Sequence, residues 1–464
     1  MSSTDIHGNP RIRVAIIGAG IGGLATANGL VNDPDQRFEV TVYERSLPDF
    51  SSEQGGYQLR IASAGLQGLK DICSKRTWAL LQKAWAGDDA TAPTMVNPSN
   101  FNVEWVLHET KLYPQSRPVP RAGLRSVLMD SLLKEERIRF DCAFKNFEMV
   151  ANADNKGSHE VVCHFENPEK NPSITADILI ASDGSRSTVN GLVGLNNKIK
   201  VQGWTLIQSQ ANVDAKLRAQ LPQSMLKHGS VMLLGGAKCT GFASVYDYFL
   251  NVEDAEQGKT QSKVFWAVLI PQTVGRNMMA KAGGDDVKLC GLTADYLVND
   301  LKYDPKFLPF LINNATQQVR TGGVTSSRRP PKDWRDGEDS LSRIVLLGDA
   351  VHPMTPGRGM GANQTIIDAA SLVKTLRQRK FAKPDGLSTD QNWADVVKTF
   401  EAEMMPRAFK MVKASEDMTA LDLTALGDRL KVRFAKTILT VAGWFVSALE
   451  MLHLKKRERF DLEY

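Results

Sequence analysis

The spacing of apolar positions changes several times along the chain, and the changes mark its organisation. Near the N-terminus, Val14-Ala15-Ile16-Ile17 is a short unbroken apolar run ending in glycines, the pattern of a strand buried on both faces of a parallel sheet. The Ala- and Leu-rich spacing of Leu24–Val31 predicts a helix, and the alternation over Phe38–Tyr43 predicts a second strand, which together make a βαβ unit. Helical spacing returns at Gly65–Ile72 and Arg121–Arg137, the latter with Leu124, Val127, Leu128 and Leu132 as its apolar face. Pro114, Pro118 and Pro120 predict an extended Tyr113–Pro120. Val161–Phe165 and Ile174–Ile180 read as strands. From Lys198 to Arg329 the texture turns to strand periods (Val231–Leu234, Gly241–Val245, Val264–Ile270) with few helical ones. Ile344–Leu347 is again a buried-strand run, Ala362–Leu372 reads as a helix, and the chain from Thr365 onward is largely helical by pattern.

Composition adds bounds. The 464 residues suffice for two or three domains, and 42% hydrophobic with 23% charged residues is ordinary for a globular enzyme. A net charge of +5 spread over this length, with no dense basic tract, argues against a nucleic-acid partner. Cys73, Cys142, Cys163, Cys239 and Cys290 are odd in number, widely spaced and without a CxxC pair. Neither a disulfide framework nor a zinc site is expected, and a reducing, cytoplasmic compartment fits. Met1–Pro10 is polar, and no secretion signal is expected there. Ile438–Leu449 is apolar and is followed by Glu450 and by Lys455-Lys456-Arg457. It is shorter than the roughly 20 residues needed to span a bilayer. Packing on the body, a contact in a homodimer, and peripheral membrane attachment all stay open for it, and the chain is expected to be a monomer or a homodimer.

The chemistry begins at Gly18-x-Gly20-x-x-Gly23, which follows the first strand and opens the first helix. The first glycine permits the tight turn, the second lets backbone approach a pyrophosphate, and the third lets helix and strand pack closely. An anion then sits at the helix N-terminus. Glu44, at the end of the next strand, suits ribose hydroxyls and repels a 2′-phosphate, so an FAD- or NAD-type adenosine is expected. A second motif, Gly348-Asp349, follows the strand Ile344–Leu347 and runs into a glycine-rich stretch and a helix. Asp349 suits the ribityl hydroxyls of a flavin, and the helix N-terminus near Gly361 and Ala362 suits the negative charge of a reduced isoalloxazine.

These segments resemble the class A FAD-dependent monooxygenases of the para-hydroxybenzoate and salicylate hydroxylase type. The resemblance rests on GxGxxG with Glu44, on Asp183-Gly184, and on Gly348-Asp349-Ala350 with His352, Pro353, Pro356, Gly359, Gly361, Asn363 and Asp368. Arg121, in Arg121-x-x-Leu124-x-x-x-Leu128, matches an arginine that contacts FAD in the family, and Gly56 falls in a loop near the flavin. The resemblance implies an α/β fold: a doubly wound, Rossmann-like FAD-binding domain in two parts (1–197 and 330–385), an inserted β-rich substrate domain (198–329) and a helical C-terminal region (386–464). It also implies FAD as cofactor, with NAD(P)H as co-substrate. In the family O2 adds to the reduced flavin, and a C4a-hydroperoxide delivers oxygen to an electron-rich carbon. The cofactor carries the hard chemistry, and no metal is required.

Two departures refine this. Asn190 stands where an arginine usually follows the Asp-Gly motif. Gln208, in Gly203-Trp204-Thr205-Leu206-Ile207-Gln208, occupies a place that is arginine in many relatives making natural products. Glutamine can hydrogen-bond a carbonyl but cannot act as an acid. This favours a neutral, hydrophobic, electron-rich ring such as an indole, or an olefin, hydroxylated or epoxidised in secondary-metabolite biosynthesis. Gln208 and Tyr246 are the candidate catalytic residues, and Tyr246 and Tyr248 are candidates to line the substrate pocket. Arg60, Arg117 and Arg186 are weaker candidates for phosphate contacts, and His352 reads as packing near the flavin. Three rivals stand beside this reading: a flavin-dependent halogenase, a redox-sensing FAD scaffold, and an oxidase without oxygen transfer. The halogenase signature Trp-x-Trp-x-Ile-Pro is incomplete here, since Val268 replaces the second tryptophan of Trp266–Pro271.

Overall fold

In the computed structural model of the protein, which describes residues 4–47, 58–85, 93–106, 116–152, 158–236, 238–249, 252–316, 318–335, 339–379, 390–419 and 422–451, the first apolar run is the middle strand of a parallel sheet. The strand order is Ile344–Leu346, Ile178–Ala181, Ile12–Ile17, Phe38–Tyr43, Ile138–Arg139. A middle strand is covered on both faces, so Val14 to Ile17 are all buried. Helices Ile21–Val31, Ser63–Ile72, Arg121–Lys134, Gly361–Gln378 and Asp390–Thr419 share one core with this sheet. The two long segments that carry the glycine motifs thus meet, because their strands lie on either side of Ile178–Ala181.

The glycine turn is sterically fixed. Gly18 has φ +101°, and a Cβ there would lie 2.5 Å from the Ser182 carbonyl oxygen. A Cβ on Gly23 would lie 2.1 Å from the Gly18 carbonyl oxygen. The obstacle is backbone, which cannot swing aside. Gly23→Ala is expected to cost about 1–3 kcal/mol, measured as a lower denaturant midpoint. An unchanged midpoint would refute the close helix–strand packing.

The expected strand Ile174–Ile180 is two strands. Ile174–Ala176 pairs in an antiparallel sheet with His159–Phe165, which in turn pairs with Phe144–Ala151. Ile178–Ala181 joins the parallel sheet. The break falls at Asp177, whose carboxylate accepts from the Arg13 backbone N–H at 2.7 Å and from its guanidinium.

The second large sheet has seven strands in the order Arg320–Ser327, Lys198–Asn212, Gln261–Pro271, Cys239–Tyr248, Ser230–Gly235, Thr94–Val96, Val103–Val106. Its last two strands come from the segment placed, on sequence, in the first domain. It is also more helical than its pattern predicts. Gln272–Ala282, Asp286–Asp295 and Leu308–Asn314 cover one face, packing on Ile207, Val264, Trp266 and Val268. These helices are short, and Gly283-Gly284 separates the first two, so no long apolar period forms. The period of two in the strands sends Phe265, Ala267, Phe242 and Tyr246 to the opposite face.

The strand Lys198–Asn212 belongs to both halves of the molecule. Its first residues lie beside the loop that follows Asp183, and its last residues lie in the second sheet. Its register against Arg320–Ser327 shifts between Val201 and Leu206, around Gly203 at φ +105°.

Candidate cofactor cleft and active site

The helix Ile21–Val31 begins at Gly20 with no side-chain cap and no acidic residue in its first turn, which leaves backbone N–H groups for an anion. A Cβ on Gly20 would meet only the Ser182 carbonyl oxygen, at 3.9 Å, so protein does not fill the space beside it. Glu44 is buried against the same turn. Its carboxylate accepts from Ala19 N–H at 2.7 Å and from Ser46 N–H at 2.9 Å, leaving lone pairs for further donors. The Arg125 guanidinium donates to the Ala19 carbonyl at 2.9 Å and ties the turn to the helix that Arg121 opens.

Asp349 lies across the cleft on the short turn Gly348–Ala350. Its carboxylate is open to the cleft, while protein encloses it on the other sides. Burial pushes this carboxyl above its ordinary range, against the opposing fields of His352, Arg121 and Lys198. Gly361 lies beside it, since a Cβ there would be 3.9 Å from Asp349 Oδ1. The helix Gly361–Gln378 that follows also lacks a side-chain cap, and Ala362 is half-buried in its first turn. Asp183 is on the neighbouring loop. Its Oδ2 accepts from Thr188 N–H at 2.8 Å, while its Oδ1 is buried with no hydrogen-bond partner among the described residues. Burial raises this carboxyl too.

Lys198 joins the two acids. It is half-buried and feels both Asp183 and Asp349, its amine is pulled down by burial, and its Nζ donates to the Ser187 carbonyl at 3.1 Å. Sequence reasoning missed it, because a lone lysine at the start of a strand carries no motif.

Beneath Asp349 is a buried polar network. Asp368 Oδ2 accepts from Gly348 N–H at 2.9 Å and lies 2.6 Å from His352 Nε2. Its Oδ1 accepts from the Arg407 guanidinium at 2.7 Å, and Arg407 also donates to Gln364 at 2.6 Å. Burial alone would pull His352 down, but Asp368 outweighs it and holds the imidazole above its ordinary value. Burial would likewise raise Asp368, but His352 and Arg407 hold it below its ordinary value. His352 is thus packed beneath the motif with its ring edge toward Phe409. Arg407, on the helix Asp390–Thr419, was not foreseen either. Asn190 has a clear use: its amide donates to the Ala350 carbonyl at 2.8 Å and to Asn197 at 2.9 Å, stitching the two acidic loops together. Asn363 Oδ1 accepts from Ala62 N–H and its amide donates to the Arg60 carbonyl, each at 2.7 Å, which ties the helix Gly361–Gln378 to the strand Gln58–Ala62.

On the second sheet, Gln208 pairs with Ala267 and Tyr246 pairs with Lys263. Residues paired directly across a ladder share a face, so Gln208 and Tyr246 lie on the same side as Phe242 and Phe265, whose rings are 6.2 Å apart. Trp266 lies on the other side, fully buried with its indole donating to the Ala315 carbonyl at 3.0 Å, as a core residue. Arg60 donates to Ser116, Arg117 stands over Trp85, and Arg186 is exposed. Gly56 and the side chain of Tyr248 lie outside the described residues.

Comparison with known proteins names this arrangement. An FAD binding domain family matches residues 317–411. The FAD-dependent monooxygenase phnB of Penicillium herquei is 39% identical over 416 residues, covering 88% of this chain and 90% of that protein. The chain belongs to the FAD-dependent monooxygenases. The dual O-methyltransferase/FAD-dependent monooxygenase CTB3 of Cercospora beticola is 23% identical over 428 residues, covering 87% of this chain and 45% of that protein. This family member therefore spans about half the length of such dual-function relatives. Among solved structures, an FAD-containing monooxygenase from Photorhabdus luminescens superposes with a TM-score of 0.66 at 22% identity, over 88% of this chain and 98% of that one. Klebsiella pneumoniae HpxO, complexed with FAD and uric acid, superposes with a TM-score of 0.62 at 18% identity, over 93% and 97%. The shared fold is the FAD-binding, Rossmann-like one.

The cofactor of this monooxygenase family is FAD, and the cleft fits it. Two uncapped helix N-termini, the open space beside Gly20 and the unpartnered Oδ1 of Asp183 all suit a group with phosphates and many hydroxyls. Among the described residues, no three His, Cys, Asp or Glu side chains cluster as metal ligands would.

Proposed function

We propose that the chain is a monooxygenase that uses NAD(P)H and O2 to hydroxylate or epoxidise a hydrophobic, electron-rich aromatic or olefinic molecule in secondary-metabolite biosynthesis. One observation carries this reading: a cleft built for a dinucleotide adjoins a sheet whose aromatic face carries Gln208 and Tyr246 as neutral hydrogen-bonding groups, with Arg320 and Lys263 paired to them on the same face. The fungal relatives named as monooxygenases support it.

In this reading Glu44 takes the adenosine ribose, the N-terminus of Ile21–Val31 takes the pyrophosphate, and Asp349 accepts from the ribityl hydroxyls. Arg121, Asp183, Gly18, Gly20 and Gly23 complete the cradle. The N-terminus of Gly361–Gln378 sets positive potential near the flavin ring. FAD, once bound, supplies hydride acceptance and oxygen transfer. The protein's own share is orientation and dryness. Phe242 and Phe265 exclude water, and the Gln208 amide orients a substrate carbonyl or N–H without protonating it.

The test is a substrate-dependent NAD(P)H oxidation screen under 18O2 with product mass spectrometry. A product gaining one labelled oxygen atom is expected. Stoichiometric H2O2 without an oxygenated product, or a chlorinated product, would overturn the proposal.

A further inference from the structure

The C-terminal helix Leu426–Met451 is packed on one side along residues 426–441. Val432 is buried with Met95, Trp105, Leu234 and Leu423, and Leu439 packs against them. The segment before the helix is clipped to the second sheet: Leu423 N–H donates to the Leu234 carbonyl at 2.7 Å, and Asn97 donates to the Leu423 carbonyl. On the opposite side Leu426, Leu430, Phe434, Ile438 and Val441 are each 50–68% exposed. At about 100° per residue these five fall in one sector of roughly 120°. Among the described residues, the other exposed large apolar ones (Ile6, Leu47, Val103, Val150, Leu192 and Val287) are scattered along the chain.

Charge says what covers the stripe. On the same helical projection Lys431 borders one edge and Arg433 the other. Residues 426–441 hold Arg429, Lys431, Arg433 and Lys436 against Asp428 alone, more than half of the chain's net +5. Lys431 pairs with Asp428 and Arg433 with Glu104, but both cations stay largely exposed. A second copy laid stripe to stripe would bring these cationic rims together. No helix among the described residues is long and apolar enough to cross a membrane. An apolar sector with cationic rims is the pattern of a helix lying in a lipid interface.

We propose that Leu426–Met451 lies on an anionic membrane surface with Leu430, Phe434 and Ile438 inserted, and holds the protein there reversibly. The test is flotation of the full FAD-loaded chain with phosphatidylcholine vesicles, with and without phosphatidylserine. The parent is expected to float with the anionic vesicles and to be released by salt. Leu430→Glu with Phe434→Glu should weaken binding about tenfold or more, and Lys431→Glu should weaken it less, while FAD content and vesicle-free NAD(P)H oxidation stay unchanged. A parent that ignores anionic vesicles would overturn the proposal. So would a parent dimer in solution that the double substitution converts to monomer, since the stripe would then belong to a second copy.

Discussion

Asp349→Asn is expected to yield a folded protein that holds FAD about 10–100-fold less tightly, because a hydrogen bond to a charged group contributes about 1.5–3 kcal/mol. The substitution preserves shape, and the turn Gly348–Ala350 is anchored elsewhere, through Gly348 N–H to Asp368. Only the charge at the cleft floor is lost. The sign for stability is the reverse. The folded carboxyl is raised by burial, so the fold disfavours its ionised form, and that penalty grows as pH rises above the ordinary aspartate value. The neutral variant escapes it. Without FAD its Tm should be no lower than the parent's at neutral pH. Flavin affinity by fluorescence titration of the apoprotein, with melting of both forms, checks both halves. Parent-like affinity would remove Asp349 from the cradle.

Asp368→Asn should do the opposite and damage the fold first. Asp368 is fully buried and serves Arg407, His352 and the Gly348 amide together. Removing the anion takes the counter-charge from buried His352 and leaves Arg407 with Glu403 alone, at a cost of up to about 3–5 kcal/mol. The pH profile separates charge from shape. Asp368 is held below its ordinary value of 3.8, so its contribution is present above that value and is lost as pH falls through the lower folded value. His352 is held above its ordinary value of 6.5, so its contribution is full below that value and fades as pH rises through the higher folded one. The Tm difference between parent and variant should be widest between those two values and narrow on both sides, with Arg407 keeping part of it at alkaline pH. A flat difference would mean that packing, not charge, holds the turn.

What could be read from the sequence follows from the range of the forces involved. The glycine turn was legible because Gly18, Gly20 and Gly23 act within one turn and Glu44 closes the same βαβ unit. Gly348-Asp349 was legible because a buried strand leads into it. Gln208 and Tyr246 needed the sheet register, which the alternation of Val264–Ile270 only hinted at. Lys198 and Arg407 were invisible. Each acts on a residue far away in the chain, and locally Lys198 is just a strand residue and Arg407 a helix residue. The helices over the second sheet were missed because glycines interrupt their period, and the break at Asp177 depends on Arg13, in another strand.

The strand Lys198–Asn212 has a consequence for how such an enzyme diversifies. Its Lys198 end sits beside Asp183 and Asp349, its Gln208 end sits on the face of Phe242 and Phe265, and the kink at Gly203 lies between them. Under the proposed function, a change beyond the kink alters which molecule is accepted while the Lys198 half of the strand keeps its contacts. Selection can then rewrite specificity one residue at a time from Leu206 onward, on an oxidation apparatus that stays constant.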